Sequence, residues 1–211
     1  MEREIRLGSR LCVEMNGGTT RIADPAGGNN INKEGVREFT FDYSFWSHDG
    51  FDVTEDGVSV KDSPASPYVD QQFIYECLGR QILDNAWEGY HCCLFAYGQT
   101  GSGKSYSMIG YGKNKGIVPM ATEEIFGRIA ANNDPYSRFE VSFSMCEIYM
   151  EKIADLLVRD PSRRPQGGLK VREDKKRGVF VQGLSKVPVD SYETISRKMD
   201  EGYTSRSIGA T

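Results

Sequence analysis

Residues 95–108 read Phe95-Ala96-Tyr97-Gly98-Gln99-Thr100-Gly101-Ser102-Gly103-Lys104-Ser105-Tyr106-Ser107-Met108. From Gly98 to Ser105 the spacing is G-x-x-x-x-G-K-[ST]. Glycines at these positions let a backbone curl so that successive N–H groups point at one centre, which suits the charged tail of a nucleoside triphosphate. A helix opening near Lys104 adds its positive end there. Lys104 is expected to reach the β- and γ-phosphate oxygens as a point charge, and Ser105 to ligate Mg²⁺ through its hydroxyl. Gly98, Gln99, Thr100, Gly101, Ser102 and Gly103 complete the candidate loop, with Tyr106 either packed in the core or facing a base. Four constrained positions can match by chance. The setting argues otherwise: Cys92–Tyr97 is a continuous apolar run, as in a strand buried on both faces, and a helical stretch follows.

Outward from the loop, the pattern alternates. Leu11–Met15 and Thr19–Ala23 flank Asn16-Gly17-Gly18, a hairpin signal, and Asp24–Gly35 reads as a polar loop. Glu38–Tyr43 reads as a strand and Ser44–Pro67 as mostly loop. Asp70 is placed to cap a helix running to Trp87, with Ile74, Cys77, Leu78, Ile82 and Ala86 on one face and Gly89 closing it. The helix from Lys104 is expected to break over Gly110–Pro119 and resume from Met120 to Ala131. Arg138–Tyr149 reads as one long strand and Glu151–Val158 as a short helical turn. Leu169–Arg172 and Val179–Gln182 flank a charged turn, a second hairpin. Ser191 is expected to cap a last helix that carries Ile195 and Met199 on one face and ends at Gly202. Such alternation predicts an α/β fold, the loop spacing points to a P-loop NTPase, and residues 1–211 suit one domain or most of a larger one.

Composition narrows the class. The chain has 211 residues, 38% apolar and 27% charged, within the globular range. Its net charge of −4 supplies no general basic field for nucleic acid, so a polyanionic partner would need a local patch. No apolar run approaches the ~20 residues of a membrane span, and the N-terminus lacks an apolar signal region. The expected setting is therefore cytoplasmic. Cys12, Cys77, Cys92, Cys93 and Cys146 contain no Cys-x-x-Cys spacing and read as reduced core thiols. Two histidines far apart argue against a zinc site.

Hydrolysis needs an acid in the Mg²⁺ shell and a group that positions water. Asp190 ends Val187-Pro188-Val189-Asp190, where the proline argues against a central strand, and Asp24-Pro25-Ala26-Gly27 reads as a turn. Neither is a convincing candidate. A guanine-reading Asn-Lys-x-Asp is absent from the sequence, which disfavours a GTPase.

At Phe95–Met108 the sequence resembles a kinesin motor domain. Further stretches carry the resemblance in the family's order: Gly116-Ile117-Val118-Pro119, Glu147-Ile148-Tyr149-Met150-Glu151-Lys152-Ile153-Ala154-Asp155-Leu156-Leu157, Val171-Arg172-Glu173-Asp174, and Ser205-Arg206 to Ala210-Thr211. Tyr43-Ser44-Phe45-Trp46-Ser47 and Gly101–Tyr106 are similar to the kinesin-three subfamily. The resemblance implies an ATPase that steps on microtubules, binds ATP or ADP with Mg²⁺, and has a central, mostly parallel sheet with helices on both faces. It implies that Tyr106 packs against adenine. It also implies that positions similar to Lys152, Arg172, Lys175 and Arg177 face acidic tubulin, although a solvated hairpin tip is an equally good account of those charges. By this reading the protein is associated with the microtubule cytoskeleton, inserts in no membrane, and holds cargo through other regions.

The departures from the family pattern set expectations too. Arg3-Glu4-Ile5 resembles the segment after the family's Arg-x-Arg-Pro strand, and the switch Asn-x-x-Ser-Ser-Arg-Ser-His is expected just beyond Thr211. Ser205-Arg206-Ser207 mimics it, but Ile208 stands where histidine belongs. The second switch, Asp-Leu-Ala-Gly-Ser-Glu, is not found. These departures lead to the expectation of a nucleotide-binding portion that does not turn ATP over by itself, with uncovered apolar faces. Met150 replaces a common asparagine, with no functional effect expected.

Overall fold

Asn16-Gly17-Gly18 turns the chain back in two residues, as its composition dictates. In the computed structural model, which describes residues 6–23 and 35–205, Gly17 sits at φ +57° and Asn16 lies opposite Thr19. Strand β1 (Val13–Asn16) thereby pairs antiparallel with β2 (Thr19–Ala23), and β3 (Val36–Thr40) adds to the other side of β2. This third strand starts two residues before the expected Glu38. The polar loop expected over Asp24–Gly35, the Asp24-Pro25-Ala26-Gly27 turn, Arg3-Glu4-Ile5 and the stretch after Ser205 lie wholly or almost wholly outside the described residues. The chain divides into two compact units, Met1–Val118 and Pro119–Thr211.

In the first unit, the stretch expected to be mostly loop holds a hairpin, β4 (Phe51–Val53) with β5 (Ser59–Lys61). Its strands are too short for an alternating pattern to register. Thr54 closes the turn, its carbonyl accepting from Gly57 N–H at 2.8 Å and its hydroxyl from Val58 N–H at 3.1 Å. Asp70 caps the next helix as expected, accepting from Phe73 N–H at 2.8 Å. That helix, α1, runs through Gln71–Ile74, Tyr75–Gly79 and Arg80–Trp87, the middle five residues winding as a π-helix. Its deepest stripe is Tyr75, Gly79 and Leu83, with Ile74, Cys77, Leu78 and Ile82 half-buried beside it, while Ala86 is exposed against expectation. Gly79 is required here, because a Cβ would collide with the Tyr75 ring. Gly89, at φ +97°, ends the helix.

Cys92–Tyr97 departs from the expected buried strand. It forms no ladder with any described residue, and Phe95 and Tyr97 are 81% and 95% exposed. Strand pairing depends on a bonded neighbour, and Cys92–Tyr97 is bonded to none of the described strands. Among the described residues every ladder is antiparallel, of two or three strands, with a single parallel bridge at Trp46 and Tyr68. The same lack of cover corrects the thiol expectation. All five cysteines are unpaired, but Cys92, Cys93 and Cys146 are exposed rather than in the core.

Helix α2 (Lys104–Met108) is followed by a tight hairpin, β6 (Gly110–Tyr111) with β7 (Asn114–Lys115), and then by α3 (Ile117–Ala131). The expected interruption is there. The helix resumes three residues earlier than predicted because Pro119 falls in its first turn, where a missing N–H costs nothing.

In the second unit, Arg138–Tyr149 is two short strands rather than one. β8 (Ser142–Phe143) pairs with β13 (Val187–Pro188), and β9 (Cys146–Tyr149) pairs with β10 (Lys152–Asp155). The chain changes partner at Ser144, whose hydroxyl donates to the Ser185 carbonyl at 2.7 Å. The helical turn expected over Glu151–Val158 is thus a hairpin strand, turned by Met150 and Glu151 at φ +47° and +60°. β11 (Lys170–Asp174) and β12 (Gly178–Gln182) form the expected second hairpin. Ser191 caps α4 (Tyr192–Thr204), accepting from Thr194 N–H, and Ile195 and Met199 are buried. Gly202 does not end this helix. It lies inside it, where a Cβ would meet the Met145 sulfur.

Candidate functional site

The loop before α2 is built from glycines in conformations other residues avoid: Gly98, Gly101 and Gly103 lie at φ +151°, +83° and +92°. Any Cβ on Gly98 would run into the Ser102 hydroxyl, so the loop closes tightly there. Ser102 N–H donates to the Gln99 carbonyl at 3.2 Å, making the turn between them. Lys104 reaches back over this curl. Its ammonium donates to the Gly98 carbonyl at 2.7 Å and the Gln99 carbonyl at 2.8 Å. A lysine has three N–H donors, so one remains for an oxygen lying in the loop.

Helix α2 has only five residues, so the macrodipole invoked from the sequence contributes little and the loop with its lysine carries the site. Thr100 and Ser105 are exposed. Among the described residues no group of three or more His, Cys, Asp or Glu side chains is placed to cage a metal ion. A Mg²⁺ site here would rest on the Ser105 hydroxyl and phosphate oxygens, a donor set that matches magnesium's habit of keeping few protein ligands. Asp190 is engaged at the start of α4, accepting from the Thr194 hydroxyl at 2.9 Å.

Tyr106, which follows the loop, is held through both its backbone and its ring. Its backbone carbonyl accepts from the buried Gln71 side-chain amide at 2.5 Å. Its ring stacks on Tyr111, centroids 5.9 Å apart. Burial, reinforced by the neighbouring Tyr68, pushes its hydroxyl up to about 12 against a smaller opposing effect from Ser59, so the phenol stays neutral. Gln71, Tyr111 and Asn114 were not legible as parts of this neighbourhood. Gln71 lies 35 residues from its partner, and no local spacing signals that pairing.

The basic hairpin lies in the second unit. Arg172 donates from Nε to the Gln182 side chain at 3.1 Å, and Arg177 lies over the Phe180 ring, 5.8 Å from its centroid. Asp174 shapes the tip, accepting from Lys176 and Arg177 N–H at 2.9 and 3.0 Å. Lys152 opens β10, which joins this hairpin through a bridge between Ile153 and Leu169. Lys152, Arg172, Lys175 and Arg177 are all exposed on this pair of hairpins.

A glycine loop of this spacing, closed by its own lysine, on an α/β chain defines a P-loop NTPase fold. Residues 2–211 match the family described as Kinesin motor domain, and the chain belongs to that family. It is 46% identical to kinesin-like protein KIF28 of Mus musculus over 100% of this chain and 20% of that protein. It is 41% identical to KIF13A of Mus musculus over 99% of this chain and 11% of that protein. These relatives, with KIF1C of Homo sapiens and unc-104 of Caenorhabditis elegans, are kinesin-three members, in agreement with the subfamily resemblance. The chain thus spans about a fifth of the length of KIF28. Two solved structures share the fold: KIF14 with ADP in complex with a microtubule (TM-score 0.83) and a KIF14 dimer in a two-heads-bound state with AMP-PNP on a microtubule (TM-score 0.81). Each is 35% identical; they match 100% and 98% of this chain, and 54% and 52% of their own.

Proposed function

We propose that this chain is the nucleotide-binding portion of a microtubule-stimulated ATPase whose hydrolysis of ATP drives movement along microtubules. The observation that carries the reading is the Lys104 ammonium fixed across the Gly98 and Gln99 carbonyls, with one donor left for a phosphate oxygen. Gly98 to Ser105 hold the β- and γ-phosphates, Lys104 stabilises charge on the γ-phosphate, and Ser105 ligates Mg²⁺. When bound, the ion neutralises charge between those phosphates. Tyr106 forms one wall of the base site. Lys152, Arg172, Lys175 and Arg177 face acidic tubulin, steering the encounter more than supplying its affinity. The cellular setting of this reading is the cytoplasmic microtubule array.

For the 211 residues by themselves we propose binding of nucleotide without turnover. The test is ATP binding and ATP turnover of this chain with and without microtubules. Microtubule-stimulated turnover would overturn the inactivity of the chain alone. Nucleotide binding that survives Lys104→Ala unchanged would overturn the assignment of the loop.

A further inference from the structure

We propose that Tyr111 is a positioning residue for base recognition, holding Tyr106 as a fixed aromatic wall beside the phosphate loop. The inference rests on the reading of Gly98–Ser105 as a triphosphate loop. Tyr106 follows that loop directly, and Tyr111 is the ring stacked on it, at 5.9 Å and 29° between planes. Tyr111 is itself 66% exposed, so core packing does not explain its placement.

Its hairpin explains the placement. Tyr111 lies opposite Asn114 across the β6–β7 turn. The Asn114 side chain spans the neighbouring β4–β5 hairpin: its oxygen accepts from Ser59 N–H at 3.0 Å, and its nitrogen donates to the Gly57 carbonyl at 2.7 Å. Lys113 pairs with Asp56 at 2.7 Å. On the other side, Gly116 packs so close to the backbone of Met108 and Ile109 that a Cβ would approach within 2.5 and 2.6 Å. The hairpin is pinned at both ends, and the ring it carries is held against Tyr106. Gln71 fixes the Tyr106 backbone at the same time. A flat face held rigid from behind suits stacking of a purine, while the triphosphate is gripped by separate groups.

The experiment compares binding of ATP with that of inorganic tripolyphosphate, which carries the charge without the base. In Tyr111→Ala, affinity for ATP is expected to fall roughly 2- to 10-fold, the range for losing one aromatic pair. Affinity for tripolyphosphate is expected to be unchanged, and Tyr111→Phe, which keeps the stack, should restore ATP binding. Because Tyr111 is exposed, these variants should fold as the parent does. An unchanged ratio of ATP to tripolyphosphate affinity in Tyr111→Ala would overturn the proposal, as would a Tyr111→Phe variant as weak as the alanine. Failure of tripolyphosphate to bind the parent chain at all would instead overturn the phosphate-loop reading, and this inference with it.

Discussion

Lys104 reaches back six residues to donate its ammonium to the Gly98 carbonyl at 2.7 Å. The bond ties the end of the loop to its beginning, so removal of the side chain costs both a charge and a closure. Lys104→Ala is expected to weaken ATP binding by roughly 10- to 100-fold, the scale of hydrogen bonds to a charged group. Lys104→Arg should not rescue it. The planar fork is poorly shaped to serve two loop carbonyls and a phosphate at once. Titration with a fluorescent ATP analogue checks both.

Charge reversal at the hairpin tip should act on encounter. Lys175→Glu with Arg177→Glu is expected to slow association with microtubules several-fold at low salt, with the deficit shrinking as salt screens the surface. Stopped-flow mixing at two ionic strengths separates this from a uniform loss of affinity. Asp174, which caps the turn through two backbone N–H groups, should stay unmutated so that the loop keeps its shape.

Met150→Asn is expected to stabilise the chain by about 0.5–1 kcal/mol. Met150 sits at φ +47° in a two-residue turn, where asparagine is at ease and methionine is not. Asparagine at this position would act through the backbone, so the substitution is expected to read out in fold stability. A denaturant midpoint raised at constant slope would agree, and an unchanged or lowered midpoint would count against it.

Asp155 is buried at 3% exposure and serves two backbone donors, Leu157 N–H at 2.9 Å and Ser185 N–H at 2.8 Å. Asp155→Ala leaves both unmet and should cost about 2–4 kcal/mol. Asp155→Asn keeps one acceptor and should lose less. Thermal melts of the pair, read against the parent, give the order.

Legibility in the sequence followed how local the cause was. The Asn16-Gly17-Gly18 turn, the Asp70 and Ser191 caps and the curl of Gly98, Gly101 and Gly103 each depend on a few adjacent residues, and each is present in the structure. Met150-Glu151 was misread because no glycine marks its turn, so a strand passed for a helix. Arg138–Tyr149 was overextended because its division is set by Ser185, 41 residues after Ser144. The glycine curl before Lys104 was legible and its surroundings were not, since Gln71 and the Asn114 clamp come from distant segments.

The widened winding at Tyr75–Gly79 has an evolutionary reading. Such a turn is what an α-helix becomes when it absorbs one added residue without passing the offset onward. Deleting a single residue within that span should let the helix rewind regularly with Leu83 still facing inward, whereas a deletion further along would swing the remainder by about 100°. A one-residue change in length is thus better absorbed within this span than further along the helix.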